Sequence, residues 1–172
     1  QNLMPNPNRS AGTGVYSPVC SPYLYPGQVV GAPNVSESEY ADYMVRYLLQ
    51  AACSGFVERV YWWRLAARGF GLVDDVEEPD RARPAYHAFV QIYRALGTAT
   101  FQRNLNAPPG ALAHLFLRPD GEQVVVAYAW GGAVAWDPPF ASLRRESLVG
   151  EPLESASGAL DGHPVYFRGV TC

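Results

Sequence analysis

Residues 111–130 read ALAHLFLRPDGEQVVVAYAW. Two apolar runs of strand length flank Asp120-Gly121, and Asp-Gly between such runs is a hairpin signal. Side chains alternate along a strand, so Val124, Val126 and Tyr128 are expected on one face and Val125 and Ala127 on the other. Both faces are apolar, and both therefore need a cover. Moving outward, the period of two persists: TATFQRNL (98–105), GAVAWD (132–137) and HPVYFRG (163–169) also read as strands. Several short strands at close spacing, with no helix among them, predict an antiparallel β-sandwich over residues 98–172.

Upstream of Gly97 the period changes. In NVSESEYADYMVRYLLQAACSG (34–55), Ser36 is a candidate N-cap and Glu39 completes a capping box three residues later. Tyr40, Ala41, Met44, Tyr47, Leu48 and Ala51 recur at three- and four-residue spacing, which predicts a helix over 37–53 packed on that face, with Gly55 at its end. FVERVYWW (56–63) reads as a strand rich in β-branched and aromatic residues. A long loop follows, and Pro84 opens a second helix, PAYHAFVQIYRALG (84–97), with Tyr86, Phe89, Val90, Tyr93 and Leu96 expected inward. Helix, strand, loop, helix is the rhythm of an α/β unit with a parallel sheet. Residues 1–35 are rich in Pro, Gly and Asn and read as an extended loop with turns.

Composition narrows the functional classes. At 172 residues, with 48% hydrophobic and 13% aromatic content, the chain is a folded protein. Its formal charge of −3 argues against a nucleic-acid binder. No apolar run is long enough to span a bilayer, so no membrane partner is expected. The amino terminus has neither a charged nor an apolar leader region, and it begins with Gln1 instead of Met, which reads as a mature or truncated chain; localisation is left open. Cys20, Cys53 and Cys172 are far apart, with no ligand-spaced histidine, so no structural zinc is expected and Cys53 reads as a small helix hydrophobe. The sequons at Asn8 and Asn34 matter only in a glycosylating secretory route. The acidic run DDVEEPD (74–80) lacks the regular spacing of a calcium loop and reads as solvated. His87 reads as a packing residue, and His114 and His163 as strand or surface positions. No phosphate cradle, nucleophile elbow or metalloprotease motif is present, so no cofactor is expected.

Trp62 and Trp63 pose the sharper question. Adjacent strand residues point to opposite faces, so one indole must sit away from the main core. The stretch EYADYMVRYLLQAACSGFVERVYWWRLAARGFGLVDD (39–75), followed by RPAYHAF (83–89) and a β-rich tail with HPVYF (163–167), resembles the C-terminal part of retaining glycoside hydrolases of the β-xylosidase-like and α-L-iduronidase-like kind. The resemblance covers roughly residues 8–172. It implies α/β plus all-β architecture: terminal βα units of a TIM barrel, incomplete in this chain, over 1–97, then a β-sandwich over 98–172. Residues 37–53 would be the seventh barrel helix, 57–63 the eighth strand, 64–82 the eighth loop and 84–96 the eighth helix. Active sites of such barrels lie at the C-terminal ends of the strands. Trp62, Trp63, Arg64, Asp74 and Asp75 are accordingly the candidate substrate-binding residues, an indole stacking on a sugar face and Arg64 pairing with hydroxyls or a carboxylate.

The same family uses two carboxylates flanking the scissile bond. The acid/base would lie on an earlier strand outside this chain. The nucleophile position aligns near Asn6, and no carboxylate precedes Glu37. A complete barrel needs about 250 residues, whereas about 97 remain once the sandwich is removed. The expectation is a C-terminal fragment of a glycoside hydrolase acting on a polysaccharide or glycoside, inactive alone and without catalytic residues of its own. Its partners would be a carbohydrate and the missing barrel portion or another copy of the chain. The alternatives are a non-catalytic carbohydrate-binding or assembly module and an unrelated α+β interaction protein.

Overall fold

The computed structural model describes residues 36–63, 65–66, 71–73, 80–139, 142–154 and 158–169. Expectations placed on residues 1–35 (Asn6, Asn8, Cys20 and Asn34 among them), on Arg64, on Asp74, Asp75 and the rest of 74–79, and on Cys172 lie outside the described residues.

Helix α1 spans Glu37–Cys53. Its start follows from the capping box: the Glu39 N–H donates to Ser36 Oγ at 3.1 Å, and the Ser36 N–H donates to Glu39 Oε2 at 2.8 Å. Such a cap contributes about 1 kcal/mol. The helix ends where Ser54 Oγ donates to the Ala51 carbonyl at 2.8 Å, with Gly55 next at φ +72°. Helix α2 spans Pro84–Leu96, with Pro84 in the first turn, where its missing N–H costs nothing. A bidentate pair from Arg81 to Glu37, at 2.8 and 3.0 Å, ties the segment before α2 to the first turn of α1.

Both helices exist where the spacing placed them. Tyr40, Ala41 and Met44 are buried as expected, and Leu48, Tyr86, Phe89 and Leu96 pack against the same core. Two of the expected inward residues turn out instead. Tyr47 and Tyr93, expected inward, are 40% and 72% exposed. The buried stripe of α1 holds Tyr40, Ala41, Met44, Val45 and Leu49, and that of α2 holds Ala85, Ala88 and Ala95. Small alanines on the shared side let two helix backbones approach, and Tyr47 and Tyr93 are left on the flanks.

Beyond Gly97 the chain forms a six-stranded antiparallel sheet in the order β1-β2-β3-β8-β5-β6. The strands are β1 (Thr100–Asn104), β2 (Ala111–Leu117), β3 (Gln123–Ala129), β5 (Ser142–Glu146), β6 (Pro152–Leu153) and β8 (Val165–Gly169). A small second sheet pairs β4 (Val134–Ala135) with β7 (Ala159–Leu160). The β2–β3 hairpin is the one predicted. The Gly121 N–H donates to the Arg118 carbonyl at 2.9 Å, Arg118 and Glu122 close the loop, and Gly121 takes φ +86°. That is a type I turn followed by a left-handed residue, the position glycine fills without strain. Ser147–Glu151 joins β5 to β6 the same way, with Gly150 at φ +89°. Strands β5, β6 and β7 are absent from the sequence reading, and GAVAWD shrinks to two paired residues.

The alternation in β3 holds. Val124, Val126 and Tyr128, with Phe116 and Tyr166, share a core with α1 and α2. Val125, Ala127 and Ala129, with Leu115, Val165 and Phe167, form a second core under Leu160, Val134 and Trp136. Burying a Val or Leu side chain contributes about 1.5–3 kcal/mol. The two-faced β3 therefore anchors both layers.

The expected strand over 56–63 does not form. Residues 54–63 are irregular, and among the described residues the parallel pairing is limited to an isolated bridge between Ala66 and Val73. A strand needs a neighbour to receive its backbone groups, and none lies alongside this stretch among the described residues. The α/β unit with a parallel sheet is therefore not observed.

Candidate functional site

The segment 54–66 leaves α1 and runs to a short backbone clasp. Val73 N–H donates to the Leu65 carbonyl at 2.8 Å, and Arg83 N–H donates to the Leu72 carbonyl at 2.9 Å. Just before the first of those anchors the two indoles part company, as adjacent residues of extended chain must. Trp62 is half-buried against the helix pair, with its ring centroid 6.0 Å from Tyr40 and 6.1 Å from Tyr47. Trp63 is 71% exposed. It sits in a run of outward apolar side chains with Phe56 at 94%, Tyr61 at 81%, Val57 and Leu65. Of the five candidate residues, Trp62 and Trp63 thus fall on this segment, and Arg64, Asp74 and Asp75 lie outside the described residues.

The other titratable groups resolve into structural roles. His114 is buried on β2, where its Nδ1 donates to Asn104 Oδ1 at 2.8 Å, and burial lowers its pKa. His87, expected to pack, is exposed on α2 with its ring edge-on to Tyr86 at 5.7 Å. Cys53 is a free, half-buried thiol whose pKa burial pushes up to about 12, so it is no nucleophile at neutral pH. Among the described residues, no group of three acidic, histidine or cysteine side chains is arranged to hold a metal.

Two constellations escaped the sequence. Asp42 is buried on α1, and its Oδ2 meets Nδ1 of the exposed His163 at 2.7 Å. Burial raises the Asp42 pKa to about 6, against the opposing pull of His163 and Arg46. The second is a cleft of about 220 Å³ lined by Tyr43, Arg46, Tyr47 and Gln50 of α1 and by Tyr128 and Trp130 at the end of β3. The four helix positions fall at i, i+3, i+4 and i+7, which is one face of a helix. Of these four only Tyr47 is singled out by the sequence pattern, which places it in the core. Nothing local announces that β3 ends opposite.

No protein-family model matches this chain, and comparison with curated proteins returns no match.

Proposed function

We propose that this chain is the C-terminal part of a retaining glycoside hydrolase, contributing a sugar-contacting surface while the catalytic carboxylates come from elsewhere. On this reading residues 57–63 are the last strand of a TIM barrel whose neighbouring strands are contributed by the missing barrel portion, and the sheet beyond Gly97 is the appended β-sandwich. The observation that carries it is the outward run of Phe56, Val57, Tyr61, Trp63 and Leu65. This is a β-forming sequence between two helices, exposing the side chains a completed sheet would cover. Trp63, 71% exposed, is then the indole that meets a pyranose ring.

A non-catalytic carbohydrate-binding or assembly module is favoured by a different observation. The carboxylates withdrawn from solvent among the described residues are already engaged: Glu37 with Arg81, Asp42 with His163, Glu122 with Arg168 and Glu146 with Gln91. None stands ready to protonate a leaving group. Both readings place the sugar on Trp63.

The test is an oligosaccharide titration of the 172-residue chain, following its tryptophan fluorescence, alongside an aryl-glycoside assay. We expect a saturable fluorescence change that Trp63→Ala abolishes, and no turnover, since acid/base catalysis alone contributes about 10²–10⁴ in rate. Absence of any response defeats the sugar-contact reading, and clear turnover by the pure chain defeats the assignment of the carboxylates to another segment.

A further inference from the structure

The cleft between α1 and the end of β3 is formed by elements that the 54–66 segment does not include, and its walls are chemically selective. Tyr128 is buried and makes the floor, and Gln50 Nε2 approaches its hydroxyl at 3.5 Å. Arg46 is held in place from three sides: its guanidinium carbon lies 5.3 Å from the Tyr43 ring centroid and 5.5 Å from that of Tyr128, and its Nη2 donates to the Gly162 carbonyl. Trp130 and Tyr47 are 49% and 40% exposed, so two aromatic side chains face solvent at the rim.

Size and charge define the ligand. A volume near 220 Å³ is below the range of about 300–1,000 Å³ typical of sites for drug-sized ligands, so it suits one ring-sized unit and not an extended cofactor. No carboxylate lines the cleft, and its one cation, Arg46, is already engaged by the Gly162 carbonyl and by the Tyr43 and Tyr128 rings. A guanidinium fixed in this way supplies directional donors to a hydroxylated ligand. Flat aromatic faces beside an arginine, an amide and phenol hydroxyls match a molecule with an apolar face and a hydroxylated edge. A neutral pyranose has both.

We propose that this cleft is a second sugar-contact site, taking one neutral pyranose unit of a glycan with its apolar face on Trp130 and its hydroxyls toward Arg46, Gln50 and Tyr43. The proposal rests on the carbohydrate reading above but engages different residues, so the two can fail separately. The experiment is a titration of the ¹⁵N-labelled chain with cellotriose, xylotriose and mannotriose, following each indole N–H, with signals assigned by single Trp→Phe variants.

We expect a saturable shift at Trp130 with at least one trisaccharide. Gln50→Ala, read at the Trp130 indole, should weaken binding at the cleft about tenfold, and so should Trp130→Ala, read by titration calorimetry in a Trp63→Ala background. Trp63→Ala alone should leave it intact. Gln50 is exposed on α1, so its variant keeps the fold should Trp130→Ala disturb it. Silence at Trp130 with all three sugars overturns the proposal, as does cleft binding that survives Gln50→Ala and Trp130→Ala unchanged. A response at Trp63 alone overturns the cleft site while leaving the proposed function standing. A response at Trp130 alone supports the cleft and removes the Trp63 platform.

Discussion

Asp42 carries its carboxylate at 2% exposure, facing His163, Arg46 and Asp161. Burial disfavours the charged form more than His163 and Arg46 favour it, and the pKa of the folded protein rises to about 6 from an ordinary value of 3.8. A group whose folded pKa lies above its unfolded one contributes stability that is fully present below the unfolded value. That stability is lost as pH climbs through the folded value. A rise of this size corresponds to about 2–3 kcal/mol across the window from pH 4 to pH 7. Asp42→Asn should remove that component, because an amide oxygen still accepts from His163 and never ionises. Urea unfolding at pH 4 and pH 7.5 checks it: the variant should lose less stability than the parent as pH rises, and parallel profiles would sink the assignment. Nothing in the sequence around Asp42 singled it out. Its neighbours on α1 look like a solvated face, and burial comes from the loop before β8.

At the scale of elements, the joint between α2 and the β2–β3 hairpin rests on Arg118. Its Nη1 donates to the Arg94 and Ala95 carbonyls at 2.9 and 3.0 Å, meeting the last turn of α2 with a positive charge. Charge at that helix end complements the dipole and satisfies carbonyls that lack an intrahelical donor. Arg118→Ala should destabilise the protein by about 1.5–3 kcal/mol, and Arg118→Lys by less, as measured by thermal or urea unfolding. A change under half that size for the alanine variant would show water replacing the guanidinium. The element boundaries themselves were legible. Ser36 with Glu39, Pro84 and Asp120-Gly121 act within three or four residues of themselves, so a short window contains their whole cause. The inner faces of the helices were less so. Large aromatics such as Tyr47 and Tyr93 look like core in a periodic pattern, whereas Ala85, Ala88 and Ala95 carry the contact because the neighbouring helix is close.

At the scale of the molecule, the described residues include a run of outward apolar side chains on one segment. Phe56, Tyr61, Trp63 and Leu65 are outward on a single irregular segment, and an apolar patch of this kind promotes association. The purified chain should self-associate with rising concentration, and Phe56→Glu with Leu65→Glu should return it to monomer without shifting its melting temperature. Sedimentation velocity across a hundredfold range of concentration decides it. A parent chain that stays monomeric throughout would show that this surface needs no cover.

The sequence by itself determined the two helices with their ends, the β2–β3 hairpin, the strands near 100–104 and 165–169, and the assignment of alternate residues in β3 to opposite cores. Each follows from torsional preference, capping or alternation, which operate between near neighbours. Only the tertiary structure decided that β8 enters between β3 and β5 and that the Trp62 stretch remains irregular. It alone joined Asp42 to His163 and opened the cleft between α1 and Trp130. Those outcomes depend on which distant segments meet. Strand propensity becomes a strand only where a partner accepts its hydrogen bonds, and a carboxylate is buried or solvated according to what packs over it.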